Sequence, residues 1–186
     1  TLSFSNVRYG SNVDFNLKDD YLISGTIVHR KTKNNMGQSE SYQIDQLEFQ
    51  RIAETGQAGT SGTAFDTKSK EYLQVRNYNY SLVDDYGSGS NGIRTLTSRG
   101  TIIGQPDLAD FRYSFKFDTT TPFKMDETVL NNYKHLPKEG VLRIDDSYDQ
   151  VIEVKQNQPE SLKATVYFND NEIDDLLWST IIGDKQ

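Results

Sequence analysis

Residues 110–118 read Asp-Phe-Arg-Tyr-Ser-Phe-Lys-Phe-Asp, and this stretch decides the fold class. Aromatic side chains stand at every second position, with polar or charged residues between them. Because successive side chains of a β-strand point to opposite faces, the pattern predicts a strand with one aromatic and one polar face. We expect the aromatic set to be largely buried and the charged residues to be exposed. The aromatic set is Phe111, Tyr113, Phe115 and Phe117, and the charged residues are Arg112 and Lys116.

Several other segments are rich in β-branched and aromatic residues, which favour strands. The clearest are Tyr21–His29, Tyr72–Val83, Ile93–Ile103, Val141–Ile144, Val151–Lys155 and Leu162–Phe168; Leu2–Tyr9 and Val13–Leu17 are weaker. Gly25 inside the first of these is typical of a β-bulge. The polar loop Asp145–Gln150 predicts a hairpin between its flanking strands. Glu40–Glu54 fits a strand or a helix. The sequence therefore predicts a mainly β fold, a β-sandwich or barrel of short antiparallel strands.

A C-terminal α-helix is predicted after Asn169. Asn169 can cap the helix, Glu172 stands at the capping-box position, and acidic residues fill the first turn, where the helix dipole favours them. An apolar stripe follows at helical spacing, and Gly183 suits the end of the helix. The stripe consists of Ile173, Leu176, Leu177, Thr180 and Ile181. A second, short helix is predicted over Asp126–Lys134, before Pro137.

Length and composition indicate a single β-rich domain over residues 1–186, since one domain usually has roughly 100–200 residues. The chain has only five alanines, which disfavours a helical bundle. It has no cysteine, which excludes disulfides, thiol catalysis and thiolate metal sites. No apolar run is long enough for a membrane-spanning helix. No signal peptide is visible.

The charge balance argues against nucleic acid as a partner. The chain carries 27 acidic and 20 basic residues, a net charge of −7, whereas phosphate binding needs clustered Lys and Arg. The densest basic cluster, His29–Lys33, is short and typical of a solvated strand end.

No residue pattern indicates an active site. The two histidines, His29 and His135, lack a nucleophile motif such as Gly-x-Ser-x-Gly. Gly87, Gly89 and Gly92 match a dinucleotide fingerprint by letter, but a strand is predicted after them where the fingerprint needs a helix. The adjacent Asp pairs are typical of turns, and no twelve-residue calcium loop is present. We therefore expect no enzyme, no cofactor and no metal site.

Tyrosine is the unusual component, with 11 residues. The strand predicted over Tyr72–Val83 places Tyr78 and Tyr80 on one face with Arg76 and Gln74. Such a face suits a sugar ring, a protein partner or simply a half-buried sheet surface, because Tyr offers a rigid ring with a polar tip. Trp178 lies off the apolar stripe of the predicted helix, so it covers a sheet edge or contacts another subunit. The candidate binding residues are Tyr72, Arg76, Tyr78, Tyr80 and Trp178.

Three classes of function remain open. The first is a structural or assembly protein, such as a phage virion or tail component, making homo- or hetero-oligomeric subunit contacts through strand faces and flexible loops. The loops are Thr55–Thr63 and Gly87–Gly92. The second is an extracellular module that binds carbohydrate or a small ligand. The third, an enzyme, has no positive feature. The expected location is a virion, the cell surface or the extracellular space.

Overall fold

The computed structural model describes residues 1–9, 21–54, 66–86, 92–106, 111–126, 136–159 and 161–178. Ten strands in these ranges pair antiparallel in one sheet, which confirms the mainly β fold. The single-domain organisation stays a prediction. The strands are β1 (Leu2–Tyr9), β2 (Tyr21–Asn34), β3 (Gly37–Glu54), β4 (Asp66–Asp85), β5 (Ile93–Gln105), β6 (Tyr113–Asp126), β7 (Glu139–Asp146), β8 (Val151–Lys155), β9 (Lys163–Phe168) and β10 (Asn171–Leu177).

The sheet is a meander, in which each strand pairs with the next strand of the chain. The predicted β7–β8 hairpin is confirmed, with Leu142 opposite Val154 and Ile144 opposite Ile152. Its turn is held by Asp146, whose carboxylate accepts hydrogen bonds from the backbone N–H groups of Tyr148 and Gln150 at 2.7 and 2.9 Å. Asp85 pairs with Ile93, so the element that follows the glycine-rich segment is the strand β5, where a dinucleotide fingerprint needs a helix.

The strand register gives the sheet one mainly apolar and one mainly polar face, because residues opposite each other on neighbouring strands share a face. The apolar face carries Ile23, Phe49, Leu73, Val75, Ile102, Phe115, Phe117, Ile144, Ile152, Val154, Val166 and Leu176. The polar face carries Glu48, Gln74, Arg76, Asn79, Ser81, Thr97, Arg99, Asp118, Arg143 and Glu153.

Several strand pairs have register shifts, and two of these shifts bear on the sequence predictions. The predicted bulge at Gly25 is confirmed, since the β2–β3 register shifts between Gly25 and Ile27 and Gly25 has a φ of 136°. A second shift lies in β4 between Arg76 and Asn79, where Asn77 has a φ of 50°. An extra residue in a strand reverses the alternation beyond it. Side chains of β4 before and after Asn77 therefore exchange faces.

The main cluster of the apolar core lies at the β6–β10 side of the sheet, and Ile44 and Leu47 of β3 are buried apart from it. The buried members of the main cluster are Phe123, Val154, Ala164, Val166 and Trp178, and Leu96, Leu136, Leu142 and Leu176 pack against them. The ring of Phe123 lies over Gly140, where an added Cβ would stand only 2.0 Å from it. Gly140 also has a φ of 150°, so a side chain there would be strained as well as crowded.

The expected burial of the aromatic strand was wrong at two of its four aromatic residues. Phe111 and Phe115 are 60% and 40% exposed, while Tyr113 and Phe117 are half-buried. Arg112 and Lys116 are exposed as expected. Alternation placed Phe115 and Phe117 on the correct, apolar face of the sheet, but both side chains remain partly open to solvent there. The rings instead pack along the sheet, with Tyr113 and Phe115 centroids 5.3 Å apart.

The predicted C-terminal helix was also wrong over residues 171–177, which form β10. Asn169 and Asp170, with φ values of 47° and 65°, make a two-residue connection between β9 and β10. Asn and Asp tolerate this left-handed conformation, which tight hairpins need at both central positions. Asn169 therefore acts in a turn and does not cap a helix. Its side chain accepts a hydrogen bond from the Val151 N–H group at 2.8 Å.

The ambiguous segment Glu40–Glu54 lies in β3, and the weaker strand Leu2–Tyr9 is confirmed as β1. Five predicted features fall wholly or almost wholly outside the described residues: Val13–Leu17, the helix over Asp126–Lys134, the loops Thr55–Thr63 and Gly87–Gly92, and His135. Among the residues that the structure describes, no helix is long and apolar enough to cross a membrane.

Candidate functional site

The structure divides the five predicted binding residues among three places. Tyr72 and Arg76 lie on the polar face, whereas Tyr78 and Tyr80 lie on the apolar face beyond the irregularity at Asn77. The predicted shared face of Arg76, Tyr78 and Tyr80 was therefore wrong. That prediction requires regular alternation over the whole of β4, and the extra residue at Asn77 breaks the alternation.

Tyr72 and Arg76 line an open cleft of about 560 Å³ on the polar face, which we call the polar cleft. Neighbouring strands bring its residues together, since Gln50 is opposite Tyr72 and Glu48 is opposite Gln74. Tyr72 is in turn opposite Gln105 of β5. The complete lining is Glu48, Gln50, Tyr72, Gln74, Arg76, Gln105 and Arg112.

Hydrogen bonds fix the direction of several groups in the polar cleft. The buried Gln74 donates its amide N–H to a Glu48 oxygen at 3.2 Å. Arg112 donates through Nε to the Gln105 side-chain oxygen at 3.1 Å, which leaves the Gln105 NH₂ group as its outward donor. The Arg112 guanidinium also stands 5.9 Å from the Tyr72 ring centroid, a cation–π contact.

Arg76 is exposed at the other end of the polar cleft, and its side chain makes no hydrogen bond or ion pair within the described part of the chain. The described lining of the polar cleft thus holds two guanidinium groups and one carboxylate. Its local charge is positive in a chain of net charge −7. Such a surface can bind an anionic group together with several hydroxyls.

Sequence reasoning missed Glu48, Gln50, Gln105 and Arg112 in this site. No single motif contains them, because they come from β3, β5 and the residue before β6. The local sequence carries no periodic signal for it, since the glutamines of β3 are irregularly spaced and β4 has only Gln74. Only the register brings Gln50, Tyr72 and Gln105 into one row.

A smaller cavity of about 410 Å³ lies at the same end of the sheet. Its lining is mostly aromatic and apolar, with Tyr21, Phe49, Leu73, Tyr72, Pro106 and Tyr113 joined by Glu71 and Gln105. Tyr72 and Gln105 therefore belong to both cavities. The size and apolar character suit part of a small ligand.

Tyr78 and Tyr80 join aromatic contacts on the apolar face. The rings of Tyr78 and Phe117 are 6.2 Å apart, and those of Tyr42 and Tyr80 are 5.9 Å apart. Gly100 of β5 allows the first contact, since an added Cβ would stand 3.0 Å from the Phe117 ring. Burial raises the pKa of Tyr80 above its ordinary value of 10.0, so its hydroxyl stays protonated.

A group of large side chains on this face remains partly open to solvent. We call Phe115, Phe117, Ile144, Ile152 and Phe168 the exposed apolar cluster. Phe117, Ile144, Ile152 and Phe168 form one row across β6 to β9, and Phe115 lies two residues from Phe117. Phe115, Ile152 and Phe168 are each exposed by more than a third. A contiguous exposed apolar surface is typical of a contact surface.

Trp178 is buried and belongs to the core. Its ring meets Phe123 edge-on with centroids 5.5 Å apart, and its indole N–H donates to the Gln156 side-chain oxygen at 2.7 Å. Its backbone N–H donates to the Leu162 carbonyl at 3.0 Å. Of the two predicted roles, covering the sheet edge fits this placement, because the side chain closes the apolar face beside β9.

Two charged clusters lie near the opposite end of the sheet. The Asp84 carboxylate is almost fully buried; it accepts hydrogen bonds from Arg94 at 2.6 and 3.0 Å and from Gln38 at 2.6 Å. Glu40 accepts from Tyr42 at 2.8 Å and lies 3.0 Å from His29 Nε2. His29 stacks on the Tyr42 ring with centroids 4.5 Å apart.

The described residues contain no group of three or more His, Asp or Glu side chains placed to hold a metal ion. The chain matches no protein-family model, and no curated protein and no solved structure is significantly similar to it.

Proposed function

We propose that this protein is a non-enzymatic structural or assembly protein, such as a component of a phage particle or tail, in which two copies pack by their apolar sheet faces. The observation that carries the proposal is the exposed apolar cluster. Burying its five side chains against a partner is favourable, because apolar surface removed from water contributes about 25 cal/mol per Å². The protein would then act in a virion or at a cell surface.

The partner we commit to is a second copy of this chain. No member of the exposed apolar cluster is charged, and the carboxylate of Asp146, which lies opposite Phe115, is engaged by backbone N–H groups of its own turn. Stacking two sheets by their apolar faces about 10 Å apart creates a β-sandwich. The sandwich expected from the sequence would then form between two copies.

The test measures molar mass by size-exclusion chromatography with light scattering over a range of protein concentrations. We expect a dimer for the native chain and a monomer for the double variant Phe115→Gln/Phe168→Gln. Val83→Gln is the matched control, because Val83 is 41% exposed, like Phe115 at 40%, but lies on the polar face. A native chain that is monomeric throughout, or a control that dissociates equally, would contradict the proposal.

A second candidate function is an extracellular carbohydrate-binding module, and the polar cleft is the observation that favours it. Side-chain amides, a Tyr ring and guanidinium groups are the partners that sugar hydroxyls and ring faces need. A glycan array with the purified chain tests this function. An array without any bound glycan would argue against it.

A further inference from the structure

We propose that the polar cleft binds an acidic saccharide, with the carboxylate of a uronic acid paired to Arg76. This inference rests on the second candidate function, carbohydrate binding, and names its ligand class. The first support is the charge of the lining: two guanidinium groups face one carboxylate, and Gln74 already donates to that carboxylate at 3.2 Å. A neutral sugar needs no such excess of positive charge.

The second support is the state of the two arginines. Arg112 is held by Gln105 and by the Tyr72 ring, so its position is fixed in advance. Arg76 has no side-chain hydrogen bond or ion pair within the described residues, and its planar fork matches a carboxylate in two parallel hydrogen bonds. Arg76 is therefore the group that a bound carboxylate would engage.

The third support is the remaining chemistry of the polar cleft. The Gln105 NH₂ group donates outward and the Glu48 carboxylate accepts, so hydroxyls find both kinds of partner. Tyr72 supplies an aromatic surface between them. Among the residues that the structure describes, the lining contains no aliphatic side chain that would anchor a peptide residue.

The location of the polar cleft also disfavours an acidic peptide bound as an added strand. The cleft spans β3, β4 and β5, whose strands are already paired on both sides. Peptides that extend a sheet need an unpaired edge. Nucleic acid is disfavoured by the acidic Glu48 within the site and by the net charge of −7.

The test is calorimetric titration of the full chain with tetragalacturonate and with its fully methyl-esterified form. The two ligands have the same rings and differ in charge. We expect the acid to bind at least tenfold more tightly than the ester. Arg76→Gln should abolish this preference, whereas Arg99→Gln should leave the affinity within twofold. Arg99 is the matched control because it is an exposed arginine on the same face, outside the polar cleft.

Each other outcome overturns the inference in a distinct way. Equal affinities for tetragalacturonate and its methyl ester would agree with carbohydrate binding but would refute the preference for an acidic saccharide. No binding of either ligand, together with an empty glycan array, refutes both. Equal losses of affinity for tetragalacturonate in Arg76→Gln and Arg99→Gln would show that the positive charge of the face attracts the ligand without a specific site at Arg76. Tetraglutamate binding as tightly as tetragalacturonate would reassign the site to acidic peptides. Thermal unfolding of both variants checks that they are folded.

Discussion

Asp84 shows how one buried charge organises a strand end. It lies opposite Arg94 across β4 and β5 and opposite Gln38 across β3 and β4, and both side chains donate to its carboxylate. A buried carboxylate is tolerated only when it is paired and hydrogen-bonded. Its sequence context, an Asp pair before a glycine-rich segment, is typical of a turn, so burial could not be predicted there.

We expect Asp84→Ala to lower the free energy of unfolding by about 3 kcal/mol, because Arg94 and Gln38 would lose their acceptor in a partly buried site. Urea unfolding measures the change. Glu139→Ala is the control, since Glu139 pairs with Lys124 at 2.7 Å and both side chains are about half exposed. An exposed pair contributes about 0–1 kcal/mol. Equal losses of unfolding free energy in Asp84→Ala and Glu139→Ala would contradict the burial of the Asp84 carboxylate.

Glu40 provides a pH-dependent contribution to stability. The Tyr42 hydroxyl lowers its pKa below the ordinary 4.5; His29 and Lys31 act in the same direction, and partial burial opposes them. A carboxyl whose pKa is lower in the folded state stabilises the fold above its unfolded pKa, and this contribution is lost as the pH falls through the folded value. The hydrogen bond to Glu40 in turn raises the pKa of Tyr42.

The expected result is that the native chain is more stable than Glu40→Gln at pH 6 and that the difference shrinks as the pH falls below about 4.5. Thermal unfolding midpoints between pH 6 and pH 3 measure it. Asp175→Gln is a suitable control, because Asp175 is exposed on β10, far from this cluster. A difference that grows toward low pH would give the wrong sign and exclude the assigned contacts.

At the scale of elements, two neighbouring leucines of β10 distinguish the observed strand from the helix that the sequence predicted. In a helix, Leu176 and Leu177 would both belong to the apolar stripe. In the strand they point to opposite faces: Leu176 packs on the core, while Leu177 is 46% exposed.

We therefore expect Leu176→Ala to cost about 2 kcal/mol and Leu177→Ala less than about 0.5 kcal/mol. Denaturant unfolding of the two variants, with unchanged slopes, gives both values. Similar losses in both variants would favour the helix.

The sequence predicted the positions of the strands better than it predicted which side chains share a face of the sheet. Alternation is a local signal, and it located most of β2, β4, β5 and β9 but only the first half of β6. Face assignments failed where one extra residue entered a strand, as at Asn77, because nothing in the local pattern marks such a residue. The C-terminal error has a similar origin: Asn-Asp suits both a helix start and a tight turn, and pairing with β9 decides between them. The polar cleft needed the register of three strands, which the sequence does not reveal.

For the whole molecule, the meander topology makes stability unevenly distributed. All the larger contacts between described strands join sequence neighbours, so a strand is supported by one or two others and by whatever core lies on its face. The core cluster lies on β6 to β10, whereas β1 pairs on one side and leaves Leu2 and Val7 exposed. Structures of this kind can open locally from weak ends.

Native-state hydrogen exchange read by mass spectrometry should therefore show the slowest exchange in peptides from β8 and β9 and the fastest strand exchange in β1. Trp178→Ala removes the ring that closes the core against Phe123, so exchange should accelerate in β9 and β10. Exchange in β2 and β3 should stay nearly unchanged, because Trp178 packs with neither strand in the described structure. If Trp178→Ala accelerated all strands equally, the sheet would unfold as one cooperative unit. The graded stability inferred from the meander would then be wrong.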